Sequence, residues 1–421
     1  MPFFLLVLTA IVAGLNFYLY RKARRFLPTR FRWTVPVWFG AVNAPMAFIF
    51  AVYASGHNLN EVPLPLLKVL CYPFFAWIAT LMAFLLISVP ADLLAAMGRA
   101  VVRVVKILRD HDDESDVNAG SLNLARRGFL TSAAGVVAPL LYGISMKGVY
   151  SWHDLDISPV QTVAIPGLGR AFDGMTITQI SDLHTGAFIR QPELDRVVAA
   201  ANALRGDLLV VTGDFMDNST ELLDVARQSL ARLRAPLGVF GILGNHDYYS
   251  DRATAHYPGC LEIMGAMRAA GIHMLRDAHE EIRSGADRFI LGGVDWTGLR
   301  RGNPNSYDGP AAVRSLQRTF SGTDTGVPRI LLAHHPHIFF DSPTFDVALT
   351  LAGHTHGGGQ VVVAEVHGQP IAVGTPVFRF VSGIYRDGVA TLYVNRGIGY
   401  VGLPIRLNCP PEISRFKLVR G

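Results

Sequence analysis

Three long uncharged stretches near the amino terminus constrain this chain more than any other feature. They are FFLLVLTAIVAGLNFYLY from Phe3, TVPVWFGAVNAPMAFIFAVYA from Thr34 and VLCYPFFAWIATLMAFLLISV from Val69. Each reaches the roughly 17–25 residues that cross a hydrocarbon core. Inside lipid a segment must satisfy its own backbone polar groups, which leaves a helix as the form such a stretch can take. A fourth stretch, FLTSAAGVVAPLLYGISM from Phe129 to Met146, is less apolar but long enough. Pro36, Pro45, Pro73 and Pro139 are tolerable where neighbouring helices satisfy the freed groups. The expectation is an all-α transmembrane region of about four helices over residues 1–148. These spans also explain a mean hydropathy of +0.30, which is high for a wholly soluble chain.

Loop charge predicts the orientation. Arg21–Arg32 (RKARRFLPTRFR) is strongly basic, Ser55–Pro65 has no lysine or arginine, and the third loop carries Arg99, Arg103, Lys106, Arg109, Arg126 and Arg127. Basic loops stay in the cytoplasm. The amino terminus is therefore expected outside, with the spans alternating and everything after Met146 extracytoplasmic. That describes a multi-pass protein of the inner (cytoplasmic) membrane. Much of the net charge of +5 sits in these loops and calls for no nucleic-acid partner. Asp110–Asp116 (DHDDESD) reads as a solvated linker. Arg126, Arg127, Gly128, Phe129 and Leu130 resemble the RRxFL core of a twin-arginine export signal, although the two arginines also suit a cytoplasmic helix flank. No A-x-A site closes the apolar run, so an uncleaved anchor is expected. Cys71, Cys260 and Cys409 have no metal-type spacing and read as independent thiols, with a Cys260–Cys409 pair as the alternative.

From about residue 150 the pattern changes to that of an α/β domain, expected over 149–421. Met175–Ile180, Asp207–Thr212, Gly238–Leu243, Arg288–Gly293, Arg329–Ala333 and Val347–Ala352 are short runs rich in β-branched residues, with helical stretches between several of them. Such alternation implies a largely parallel sheet with helices outside it. Five runs end in metal-binding residue types: Asp182 and His184 in SDLH, Asp214 and Asp217 in GDFMD, Asn245, His246 and Asp247 in GNHD, His334, His335 and His337 in HHPH, and His354 and His356 in GHTH. In α/β sheets the loops beyond the strands' carboxyl ends converge on one crevice. Carboxylate, imidazole and amide oxygen without thiolate suit Mn, Fe, Zn or Co. Two such ions about 3.5–4 Å apart can clamp the attacking and leaving oxygens of a phosphoryl displacement and hold a hydroxide nucleophile at neutral pH.

Taken in order, DLH, GDFMD, GNHD, AHHP and GHTHGG resemble the motifs of the calcineurin-like metallophosphoesterase family, in its membrane-anchored bacterial branch, from roughly Phe172 onward. The resemblance implies a four-layer α-β-β-α sandwich and a metal-dependent phosphoesterase. It implies that Asp182, His184 and His356 hold one divalent ion and Asn245, His334 and His354 the other, with Asp214 bridging both. It places His246 to stabilise or protonate the leaving oxygen, with Asp217 orienting that imidazole. In HHPH the register selects His334 as the ligand, His335 being the alternative, and leaves His337 as a substrate contact. Asp247 stands where the family often has glutamate and is expected to fix the loop. Three glycines stand before Gln360 where the family has two, which bears on the geometry just beyond His356. His153, His256, His273 and His279 lie outside the motifs and read as ordinary histidines.

The segment from Arg396 to Ile413 resembles the carboxyl-terminal part of membrane-associated bacterial members, and Arg396 and Arg406 are candidate phosphate partners as well as candidate surface residues. Gly293–Gly309 reads as a substrate-side loop or a long connection. The expected substrate is a phosphate mono- or diester, lipid- or sugar-linked if drawn from the envelope. One alternative is the pyrophosphate of a UDP-linked diacylglucosamine, hydrolysed by a related branch in lipid A synthesis. Another is a non-catalytic metal sensor or partner-binding protein, which loss of ligands would signal; none is lost.

Overall fold

A computed structural model describes residues 2–26, 29–109, 137, 139–151, 154–249, 258–296, 307–367 and 369–421. The acidic run at 110–116, the twin-arginine pair Arg126 and Arg127, His153, His256 and residues 297–306 of the long loop lie outside the described residues. The chain forms two compact units, one of residues 1–59 with 65–149 and one of residues 60–64 with 150–421.

The first unit is helical: Pro2–Phe26, Thr34–Ala54, Leu64–Arg109 and a helix over 139–150. Among the described residues two helices, Thr29–Ala54 and Leu64–Val104, are long and apolar enough to cross a membrane. The Leu64–Arg109 helix outruns the third apolar stretch because Ala, Leu, Met and Arg, all good helix formers, follow Pro90. The helices pack through Leu19, Val42, Trp77, Leu81 and Phe84. Side-chain amides add to this: Asn16 donates to Asn43 at 3.1 Å and accepts from the Trp77 indole at 2.9 Å. Such bonds favour helix association in lipid, where few other polar partners exist.

The second unit contains two large sheets. One runs, in spatial order, Asp156–Ile157, Glu412–Arg420, Thr176–Ile180, Leu208–Thr212, Val239–Ile242 and His273–Met274, with Gln161–Ile165 also on Glu412–Arg420. The other runs Gly383–Asp387, Ala390–Val394, Val347–Ala352, Arg329–Leu332, Asp287–Gly293 and Ala278–Ser284. Neighbouring strands from Thr176 to Met274 are parallel, as are the four central strands of the second sheet. Leu208–Thr212 and Val347–Ala352 are buried along their whole length, as strands covered on both faces must be.

Period-two alternation divides the core. Leu209 and Val211 pack with Leu194 and Val197 of the Gln191–Ala203 helix and with Ile263 and Met267 of the Pro258–Ala269 helix. Their neighbours Leu208 and Val210 join Phe240, Phe289, Leu291, Ile330, Leu332, Leu349 and Leu351, a cluster fed by both sheets. Ile290, Leu331 and Val347 pack with Ala312 and Leu316 of the Gly309–Thr319 helix. A third sheet, of Val362–Val366 and Gln369–Ala372, is a two-stranded antiparallel ribbon.

Candidate metal centre

Each motif residue leaves the carboxyl end of a strand. Asp182 and His184 follow Thr176–Ile180, Asp214 follows Leu208–Thr212, and Asn245 follows Val239–Ile242. His334 follows Arg329–Leu332, and His354 and His356 follow Val347–Ala352. Five of these residues have a left-handed backbone: Asp182 at φ 52°, His184 at 47°, Asp214 at 54°, His354 at 72° and His356 at 49°. That conformation costs a residue with a side chain of order 1–3 kcal/mol. It persists because the loops are bonded to one another. His354 N–H donates to Asp182 Oδ1 at 3.0 Å, His246 N–H to Asp214 Oδ1 at 2.8 Å, and His184 N–H to the Asp214 carbonyl at 3.0 Å. Gly244 is required by this closeness, since a Cβ there would lie 2.2 Å from Asp214 Oδ1.

The side chains converge. His184 Nε2 lies 3.0 Å from His356 Nε2, and His356 Nε2 lies 3.3 Å from Asp182 Oδ1. His334 Nε2 and His354 Nδ1 lie 3.0 and 2.9 Å from Asn245 Oδ1. Asp214 Oδ2 stands between the two groups, 3.4 Å from His184 Nε2 and 3.1 Å from His334 Nε2. The ligand atoms of Asp182, His184 and His356 all lie within 4.8 Å of one another, as do those of Asp182, Asp214 and His334. His334, not His335, enters this cluster: its Nδ1 lies 2.8 Å from the Thr212 carbonyl, which aims Nε2 inward. His335 stacks on His354 at 4.7 Å.

The electrostatics suit cations. Burial opposes charge on Asp182, but His356, His334 and His184 around it hold its carboxyl well below the usual range. Asp214 is likewise held low against burial, by His334, His246 and His184. Burial also opposes charge on His334, yet Asp214 and Asp182 push it up to about 9. His356 is pushed down to about 4 by burial, and His354 falls well below its ordinary value through burial and the neighbouring His335 and His334. His184 Nδ1 and His354 Nε2 are buried with no hydrogen-bond partner among the described residues. Nitrogens crowded at 3.0 Å around shared carboxylates fit divalent ions of the Mn, Fe, Zn or Co type.

A sequence profile described as calcineurin-like phosphoesterase matches residues 175–358. The chain is 31% identical over 305 residues to the metallophosphoesterase YkuE of Bacillus subtilis, covering 70% of this chain and 98% of that protein. This chain belongs to the calcineurin-like metallophosphoesterase family. A metallophosphoesterase of Aquifex aeolicus is 32% identical over 244 residues, covering 56% of this chain and 82% of its own length. A zebrafish (Danio rerio) relative named transmembrane protein with metallophosphoesterase domain is 29% identical over 263 residues, 61% of this chain; the chain spans 56% of that relative's length. Named transmembrane relatives and the two apolar helices together support membrane association.

Around the metallophosphoesterase cluster stand residues that motif order alone does not place. Asp217 Oδ1 lies 3.4 Å from His246 Nδ1 and 3.6 Å from His184 Nδ1, between the two imidazoles. Burial opposes the charge on His246, but Asp214 and Asp217 raise its basicity above that of an ordinary histidine. Asp247 accepts from the Gly244 and Met216 N–H groups at 2.9 and 3.1 Å, bonds that pin the loop. Burial and the nearby Asp214 push its carboxyl up to about 7.

The candidate phosphate partners have other work. Arg406 is fully buried and donates to the carbonyls of Gly399, Arg396 and Cys409, with Nη2 3.2 Å from His356 Nδ1, so its guanidinium braces the ligand turn and does not reach a substrate. Arg396, the other candidate phosphate partner, is paired with Glu412 at 2.8 Å and Asp156 at 2.5 Å. His337 is half-buried beside Tyr307, Phe340 and Phe380. Sequence reasoning missed Trp296, whose ring lies 5.6 Å from His334 and 5.2 Å from His354. Its signal was position, since VDW directly follows a strand that ends beside the ligand loops. The glycines after His356 all have positive φ, and a Cβ on Gly357 would lie 2.4 Å from Cys409 Sγ.

Proposed function

We propose that this metallophosphoesterase is a membrane-anchored hydrolase of phosphate mono- or diesters that works with two divalent ions. The observation that carries the reading is Asp214, whose one carboxylate oxygen faces both histidine groups. Asp182, His184 and His356 would hold one ion and Asn245, His334 and His354 the other. When bound, the ions supply Lewis acidity and a nucleophile generated from water at neutral pH.

The chain's own residues do the rest. His246, on the rim of the cluster and made more basic by Asp214 and Asp217, holds a proton for the departing oxygen. Asp217 fixes the ring that delivers it. The buried Asp182 and Asp214 stay ionised, and His354 and His356 stay neutral, which are the states that bind cations. The four-layer arrangement is supported by the division of the core into a cluster shared by the sheets and two clusters that each join a sheet to helices.

The apolar helices support an inner-membrane, multi-pass anchor, and loop charge supports a catalytic unit outside the cytoplasm. An anchored enzyme meets envelope substrates, hence lipid- or sugar-linked phosphoesters. With that orientation the cytoplasmic supply of UDP-sugars argues against a UDP-diacylglucosamine substrate. The test is a screen of the purified full chain in detergent, with manganese, against phosphomonoesters, phosphodiesters and lipid pyrophosphates. Hydrolysis that stops on chelation and returns with metal is expected; no hydrolysis of any of them refutes the reading.

A further inference from the structure

The ribbon of Val362–Val366 and Gln369–Ala372 joins neither large sheet. The ribbon and the turn after it leave Val363 67%, Val373 57% and Val377 74% exposed, with Val366 and Ile371 exposed too. From Val361 to Val377 the ionisable side chains are Glu365 and His367 alone. Isolated two-stranded ribbons are marginal in water, and exposed strands are ordinarily guarded by charge. An apolar surface left open in this way marks a contact site.

Its surroundings bear on what could cover it. The same chain carries helices long and apolar enough to cross a membrane, so a bilayer is the apolar phase at hand. Two residues beyond Val377, Arg379 lies over the half-exposed Phe340 ring at 5.4 Å, which sets a cation and an apolar ring together close in sequence to the exposed valines. The ribbon also grows out of the ligand turn. Gly374 N–H donates to the Gly358 carbonyl at 2.8 Å, and the Phe378 ring meets His354 edge-on at 6.0 Å.

We propose that the ribbon lies in the membrane interface and presents lipid-borne phosphoesters to the metal centre. This rests on the phosphohydrolase reading for its catalytic half and on geometry alone for its lipid contact. Immersed valines contribute the affinity for a membrane-held substrate, while a soluble ester reaches the ions without them.

Two measurements on the full chain in phosphatidylcholine–phosphatidylglycerol vesicles separate the halves. In the first, a Val366→Cys variant carries an environment-sensitive fluorophore, the native Cys71, Cys260 and Cys409 being buried. Quenching by doxyl-labelled acyl chains and protection from aqueous iodide are expected. Iodide quenching without doxyl quenching overturns the lipid contact, and so does protection that appears only as label meets label on a second copy. In the second, the Val363→Asp/Val366→Asp variant acts on phosphatidic acid in the vesicles and on bis-p-nitrophenyl phosphate. An approximately tenfold rise in KM for the lipid, with kcat/KM for the soluble ester within about twofold, is expected. An unchanged lipid KM with soluble turnover intact refutes the ribbon's role and leaves the hydrolase reading standing. If the unaltered chain hydrolyses neither, the hydrolase reading fails, and the quenching result still decides the lipid contact.

Discussion

His184 Nε2 faces His356 Nε2 at 3.0 Å inside a buried pocket, although the two residues are 172 positions apart. Two imidazole nitrogens approach so closely when a shared proton or a shared cation joins them. The left-handed backbone at both residues, φ 47° and 49°, shows that the chain is bent out of its preferred conformation to bring them there. Asp182 and Asp214 lie against the same nitrogens at 3.3 and 3.4 Å, so the pocket is anionic enough for a divalent ion.

Asp214→Asn follows directly from this geometry. The substitution keeps the size of the side chain and the oxygen that accepts from His246 N–H, but removes the charge that two ions would share. Metal-dependent hydrolysis of bis-p-nitrophenyl phosphate is expected to fall by about 10² or more, with metal content reduced by elemental analysis. Full turnover with manganese added refutes Asp214 as the shared ligand.

His246→Ala separates proton delivery from metal binding. The imidazole touches Asp217 and lies edge-on to His184 at 4.6 Å, outside the two ligand groups. Turnover should drop about 10²–10³-fold while both ions stay bound. Loss of the ions in this variant makes His246 a ligand and reassigns the site.

Gly244→Ala tests the close approach of the loops. The new Cβ would sit 2.2 Å from Asp214 Oδ1 and 2.6 Å from the Asp214 amide nitrogen, neither of which can move without disturbing the cluster. A loss of about 1–3 kcal/mol in stability is expected by thermal denaturation, along with weaker metal binding. A wild-type melting temperature shows that the loops have slack.

Much of this is legible in the sequence, and the reason is local. Strand runs such as Leu208–Val211 are apolar without interruption, and the ligands stand directly after them, so order along the chain implied convergence in space. The backbone conformation was not legible, because aspartate and histidine give no sign of φ > 0 at Asp182 or His356. Arg406 misled because a guanidinium near a phosphate site suggests recognition, whereas its burial depends on the carbonyls of Gly399 and Cys409, which sequence does not display. The entry of Glu412–Arg420 between Asp156–Ile157, to which it is parallel, and Thr176–Ile180, to which it is antiparallel, likewise follows from a long return of the chain that no local pattern encodes.

The proposed orientation rests on loop charge and has its own test. Arg21, Arg24, Arg25, Arg30 and Arg32 flank the first two apolar stretches on one side, and the loop from Ser55 to Pro65 carries no such charge on the other. An alkaline phosphatase reporter fused after Met146 should therefore be active, since that enzyme matures outside the cytoplasm. An inactive fusion, with a cytoplasmic reporter active at the same residue, reverses the orientation and brings cytoplasmic nucleotide-linked substrates back within reach of the site.

Proton release on metal binding gives the last test, and its sign is fixed by the cluster. In the metal-free chain Asp214 and Asp182 push His334 up to about 9 against the effect of burial, so at about pH 8 it carries a proton that a metal must displace. His354 and His356 are pushed down and already neutral there, and Asp182 and Asp214 are already ionised. Asp247, pushed up to about 7, has also lost its proton. Titrating manganese into the chelated full chain in two buffers of different ionisation enthalpy should therefore report about one more proton released near pH 8 than near pH 10, beyond the proton that water gives up to the ions at both values. Apparent affinity should rise with pH up to about 9 and then level off, because above that value His334 no longer competes with the ion for its own nitrogen. A proton count that is the same near pH 8 and near pH 10 would remove His334 from the ligand set and leave Asn245 and His354 to hold the second ion without it.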